Sequence, residues 1–194
     1  MATVALSKRM TVEEFLALPD DGVDRELIAG EVRERGPSIH GMRHAGCLAK
    51  LSYLIGNWSH DNPSSGVDVL AGQPGFIMQR EPPTVVGPDF AVVDADVPSD
   101  PRYGLVEGVP RLAVEILSPS DNPRDIQEKV RLYLEHGVAA VWVVDPDDQC
   151  VQICRTRQPL MLFSGEQTLT CEPELPGFSV RVSELFRGVK GGRA

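Results

Sequence analysis

The sequence predicts an α/β fold, a mixed β-sheet flanked by helices, on three observations. A strand–helix–strand succession runs from Leu112 to Pro146, and its two strands read as apolar on both faces, the pattern of a parallel crossover buried at the centre of a sheet. Near the start, "DRELIAGEVRERG" (24–36) reads as two short strands turning at Ala29-Gly30, an antiparallel hairpin. After residue 147 the chain breaks into short antiparallel segments separated by Gly-Glu and Pro-Gly turns.

The elements follow in order. Thr11-Val-Glu-Glu14 is a capping-box pattern and opens a short helix that ends near Pro19. The hairpin comes next. Cys47, Leu48, Leu51, Leu54, Ile55 and Trp58 recur at three- and four-residue spacing, which predicts a helix from His44 to Trp58 that "NPSSG" then stops. Strand-like runs occupy 66–80 and 85–94, broken by Gly-Gln-Pro-Gly and by Glu-Pro-Pro, and a loop rich in Pro, Asp and Gly extends from Pro98 to Pro110. The Leu112–Leu117 strand is followed by Asn122 as helix N-cap and Pro123 as first helical residue. That helix runs to about His136, stops at Gly137, and leads into the apolar strand "AAVWVVDP".

At 194 residues, with 42% hydrophobic and 24% charged residues, the chain suits one soluble domain spanning 1–194 with its core at 11–186. No apolar run is long enough to span a bilayer and the N-terminal stretch lacks a secretory signal, so a cytoplasmic location without membrane partners is expected. Four cysteines show no CxxC pair, which leaves a zinc ribbon or redox motif without support. The net charge of −9 argues against broad attraction to phosphate backbones, although a site made positive by a bound metal is compatible with it.

The chemistry starts from an oddity, since Glu115 interrupts the otherwise apolar segment Leu112–Leu117. A lone charge in a buried strand is costly unless it is paired or binds a metal. Asp89, in "VVGPDFAVVDAD", sits at the entry of another inner strand. Two carboxylates on neighbouring strands repel each other, and a hard divalent cation, magnesium or else manganese, removes that repulsion through oxygen ligands. Taken alone, Asp89 also fits the start of a turn and Glu115 an arginine partner. On the helix after Pro123, Ile126, Lys129, Val130 and Tyr133 share one face, so Lys129 points inward with its apolar neighbours unless it snorkels at the stripe's edge. Glu26, in the first hairpin, is a further site candidate. His44, at the first turn of its helix, is a secondary one, while His40, His60 and His136 carry no assignment.

Asp89 after a proline, "VEILSPS", a helix bearing Lys129 and Tyr133, and "GVAAVWVVDP" together resemble the Uma-type family of restriction endonucleases, in the PD-(D/E)XK nuclease superfamily. "RELIAGEV", "GMRH" and "LPGFSVRVSELF" extend the resemblance over roughly residues 11–186. It implies a restriction-endonuclease-like core. It also implies a metal site formed by Asp89, Glu115 and the main-chain carbonyl of Ile116, with Lys129 as the motif lysine on the following helix rather than at position 117, which is Leu. Glu26 and His44 match the family's acidic hairpin residue and helix-start histidine. Tyr133 lies on the same helix face and is a secondary candidate. Arg25 and Ala29 depart from the aromatic and acidic residues common there, which bears on substrate contacts more than on catalysis.

The function this implies is magnesium-dependent endonucleolytic hydrolysis of DNA phosphodiesters by a homodimer. The alternative is a catalytically silent relative serving as a nucleic-acid-binding or assembly module, which the acidic charge and the lack of a basic, aromatic-rich stripe favour. A metal-free two-carboxylate glycosidase fits poorly, because two Trp and three Tyr offer little for sugar stacking and an inward lysine goes unexplained.

Overall fold

In the computed structural model, residues 9–37, 41–119 and 121–189 are described. The helices are α1 (Val12–Leu16), α2 (Met42–Asp61), α3 (Pro123–Glu135) and α4 (Val182–Phe186). The strands are β1 (Val23–Ile28), β2 (Glu31–Pro37), β3 (Val67–Ala71), β4 (Phe76–Arg80), β5 (Pro83–Val86), β6 (Phe90–Asp94), β7 (Val106–Glu107), β8 (Leu112–Ile116), β9 (Ala140–Asp145), β10 (Cys150–Cys154), β11 (Met161–Ser164), β12 (Thr168–Cys171) and β13 (Leu175–Arg181).

The sequence predicts one mixed sheet, whereas the chain builds two and a separate hairpin. The main sheet has the order β11-β10-β9-β8-β6-β3, a second has β2-β1-β5-β4-β7, and β12-β13 pair alone. Turn chemistry explains the division. The runs 66–80 and 85–94 are interrupted at Gly72–Gly75 and at Gly87-Pro88, and each half pairs with a different partner: β3 with β6 in the main sheet, β4 with β5 in the second. Both larger sheets are mixed. The β8–β9 pair is parallel, as the crossover predicts, and the short β7, inside the segment expected to be loop, runs parallel to β4.

Local signals hold closely. Thr11 Oγ1 accepts from Glu14 N at 3.1 Å and Glu14 Oε2 accepts from Thr11 N at 2.9 Å, closing the capping box. The Asn122 side chain accepts from Arg124 N at 3.0 Å and caps α3. Helix α2 exceeds its predicted bounds by a fraction of a turn at each end. Its periodic stripe marks the buried face, while the ends depend on Gly41 before it and on Asn62, whose side-chain amide donates to Trp58 O at 2.8 Å. Ala29 and Gly30 both turn with positive φ, 51° and 83°, which joins β1 to β2 through two residues. Among the described residues no helix is long and apolar enough to cross a membrane.

The main sheet is covered on both faces. Cys47, Leu51 and Ile55 of α2, with Val182, Leu185 and Phe186 of α4, pack on Phe90, Val92, Leu112, Val114, Ile116 and Trp142. The opposite face, through Ala91, Val93, Ala113 and Val141, meets Tyr133 and Val130 of α3 and Phe76 and Val86 of the second sheet. Since Leu51 is almost wholly buried between helix and sheet, Leu51→Ala is expected to lower unfolding free energy by about 2–5 kcal/mol in urea titration.

Candidate active site

Side-chain alternation decides which residues can meet. In β8, Leu112, Val114 and Ile116 face α2, so Ala113 and Glu115 face α3. In β6, Phe90 and Val92 face α2, which puts Asp89, like Ala91 and Val93, on the α3 side. The antiparallel register Phe90↔Val114 carries on to set Asp89 beside Glu115. Asp89 Oδ2 accepts a 2.7 Å hydrogen bond from Ile116 N, tying the two strand ends together. Helix α3 crosses this face with Ile126, Lys129, Val130 and Tyr133 inward, as its spacing predicts.

Glu115 is only 4% exposed, and both of its oxygens are engaged. Lys129 Nζ donates to Oε2 at 2.8 Å and Tyr133 OH to Oε1 at 2.5 Å. The chain thus supplies a cation for the buried acid through Lys129, one of the partners its sequence offers beside a metal ion. Lys129 Nζ also lies 3.3 Å from Glu26 Oε1, and Glu26 Oε2 accepts from Arg35 Nε at 2.6 Å. His44 Nε2 comes within 3.1 Å of Asp89 Oδ2 from the first turn of α2. The six side chains named from the sequence thus fall into two contact sets, Glu26–Lys129–Glu115–Tyr133 and His44–Asp89, which meet through the Ile116 N–H that Asp89 accepts. His40 lies outside the described residues.

Burial dominates the electrostatics. It pushes the Glu115 carboxyl up to about 7, with the Asp89 charge adding to the rise and Lys129 and Tyr133 opposing it. For Asp89, burial is again the largest influence and acts upward, but His44, the Ile116 N–H and Lys129 together outweigh it, so its carboxyl sits below the usual range. Burial pulls the Lys129 ammonium down, and Glu115, Glu26 and Asp89 more than reverse this and raise it. The Tyr133 hydroxyl is raised, by burial first and then by Glu115, and stays a donor.

Asp89, Glu115, Lys129 and His44 border a cavity of about 150 Å³, with Arg35 and Ile116 also in its lining, while Glu26 and Tyr133 stand behind them. It opens beyond the carboxyl end of β8, where ligand crevices form in sheets with parallel strands. A larger cavity of about 680 Å³ lies on the other side of α3, walled mainly by Ile126, Val130, Leu134, Val143, Cys154 and Leu160. Volume alone favours the larger, but the buried acids, the lysine and the shifted protonation equilibria belong to the smaller, which is the candidate site.

The donor set suits a hard divalent cation. Asp89, Glu115 and the Ile116 carbonyl offer only oxygen, and no hydrogen bond reaches Asp89 Oδ1 among the described residues. Carboxylate oxygens that already accept one hydrogen bond keep a second lone pair. Among the described residues no three His, Cys, Asp or Glu side chains form a metal cage. Magnesium does not need one, because it binds through one or two carboxylates and keeps several waters.

Arg35 also lines this cavity, and the sequence reading did not single it out. The pairing Glu26↔Arg33 sets Arg33 beside Glu26, while Arg35 is the unpaired residue at the bulge opposite Asp24 and Arg25, from which its side chain reaches Glu26. A bulge re-aims a side chain in a way that period-two alternation in "EVRERG" does not reveal.

The sequence matches the family described as "Uma2: Putative restriction endonuclease" over residues 12–183. A solved structure described as a "putative nuclease belonging to DUF820" from Anabaena variabilis ATCC 29413 superposes with a TM-score of 0.76 at 20% identity, over 93% of this chain and 99% of that one. At that identity the likeness speaks for the fold. Comparison with curated proteins gives no match. With the family matched across nearly the whole chain and the fold shared end to end with a nuclease-described structure, this protein belongs to the Uma2 family of restriction-endonuclease-like proteins.

Proposed function

We propose that the protein is a magnesium-dependent endonuclease that hydrolyses DNA phosphodiester bonds, with manganese able to substitute. The observation that carries this reading is the convergence of Asp89, Glu115 and Lys129 on one cavity. Asp89, Glu115 and the Ile116 carbonyl are the groups that would hold the cation. When bound, a divalent cation supplies Lewis-acid polarisation of the phosphoryl group and acidification of water.

The remaining steps belong to the chain. Lys129 donates one hydrogen bond to Glu115 and stands in an ion pair with Glu26, which leaves N–H donors to orient the attacking water or meet charge developing on the phosphoryl oxygens. Tyr133 and the Ile116 N–H fix the orientations of Glu115 and Asp89 before substrate arrives. Glu26 holds Lys129 and Arg35 apart on its two oxygens, and His44 sets Asp89 from the α2 side. A homodimer would present two such sites to two strands, and light scattering reads its mass.

The second reading, a silent nucleic-acid-binding or assembly module, draws support from the net charge of −9 and from Asp24, Glu34, Asp121 and Asp125 lining the same cavity. Magnesium or manganese calorimetry with plasmid cleavage separates the two. Wild type is expected to take up metal and cut, and Asp89→Asn to lose both while keeping its melting temperature within a few degrees. DNA binding without metal uptake or cutting would establish the silent module instead.

A further inference from the structure

The cavity carries a cation that the reaction chemistry above leaves unused. Among the described lining residues the only Lys or Arg are Lys129 and Arg35. Arg35 is anchored at one end: Nε donates to Glu26 Oε2 at 2.6 Å, and the side chain is 16% exposed. Its Nη2 is buried without a hydrogen-bond partner, and no hydrogen bond from Nη1 occurs among the described residues. A guanidinium has five donors in a rigid planar fork and does not lose its proton. Leaving part of that fork buried and unsatisfied is unfavourable unless an acceptor arrives.

What arrives must be an anion small enough to enter a crevice already crowded with carboxylates. Asp24, Glu34, Asp121 and Asp125 line the same cavity and disfavour non-specific anion capture, so an anion would have to be drawn in by Arg35 and Lys129 directly. Glu26 separates the two cations, holding Lys129 on Oε1 and Arg35 on Oε2, so Arg35 stands one carboxylate away from the reacting centre. We propose that Arg35 grips a non-bridging oxygen of the backbone phosphate next to the scissile one, and so positions the strand in the cavity. This rests on the nuclease reading and adds to it a substrate contact from the first hairpin.

The test compares wild type, Arg35→Met and Arg35→Lys in magnesium, reading kcat and KM for a DNA substrate, the slope of log(kcat/KM) against log[KCl], and the melting temperature. A phosphate contact predicts that KM rises roughly 10- to 100-fold in Arg35→Met, with the larger share of the loss on KM. The salt slope should become shallower by about one. Arg35→Lys keeps the charge but not the fork, so the wild-type slope returns with only part of the affinity. If wild type cuts and Arg35→Met retains both KM and slope, the Arg35 assignment falls while the nuclease reading stands. If kcat drops with an unchanged slope, Arg35 acts only through Glu26 and the assignment again falls. Should Arg35→Met fail to fold, Arg35→Lys decides alone, because undiminished affinity overturns the contact. Absence of cutting and of DNA binding by wild type in both magnesium and manganese removes the nuclease reading itself.

Discussion

Glu115→Gln is expected to abolish cleavage, by about a hundredfold or more, and yet to melt later than wild type above pH 7. The sign follows from burial. The folded-state carboxyl is raised to about 7 from an ordinary value of 4.5, so between those values the folded protein keeps a proton that the unfolded chain has released. Wild-type stability therefore falls as pH climbs through that window and stays reduced above it. Glutamine is neutral at every pH, and its oxygen can accept from Lys129 Nζ while its NH2 donates to the Tyr133 oxygen. The stability advantage of Glu115→Gln should thus grow from pH 4.5 to 7 and then level off, reaching on the order of 1–3 kcal/mol. Asp89 works in the opposite sense: its lowered carboxyl contributes stability that is present above the ordinary value of 3.8 and lost as pH falls through the folded-state value. Melting both proteins from pH 4 to 9 in chelator reads the difference, and an advantage that does not change with pH would sink this account. Added magnesium should then raise the melting temperature of wild type alone, by mass action on the folded state.

Lys129→Met is expected to be the most damaging single change in the site. It removes the cation shared by Glu115 and Glu26, both almost fully buried. Stranding buried carboxylates in this way costs about 3–5 kcal/mol. Glu115 can escape part of that penalty by taking up a proton, so the loss should be larger at pH 8 than at pH 5. The raised Lys129 ammonium contributes stability that is complete below its ordinary value of 10.5 and lost only as pH rises through the higher folded-state value, so it is present across this whole range. Because the orphaned charge is the cause, Glu115→Gln combined with Lys129→Met should recover part of the loss, with a coupling of about 1 kcal/mol or more in a urea-denaturation cycle. Strict additivity would mean that the two side chains do not share a charge network. The cycle also matters for function, since lost cleavage in Lys129→Met reports on chemistry only after its folded fraction is measured.

The sequence by itself determined the elements and the sidedness of the site. Helix spacing in α3 showed that Lys129 and Tyr133 point with Ile126 and Val130, and strand periodicity with one misplaced acid marked Glu115. These signals are local, repeating every two or every 3.6 residues, so they survive without knowledge of any partner. Only the tertiary structure decided how the strands divide into two sheets and what satisfies Glu115, because both depend on pairings between segments far apart in the chain. The β1–β5 pairing at Leu27↔Val85 brings the first hairpin into the second sheet, and Glu26 of that hairpin meets Lys129 of α3 more than a hundred residues later. Arg35 stayed hidden for the same reason: a charge on a hairpin reads as solvated until the register of its neighbour and the helix across from it are known.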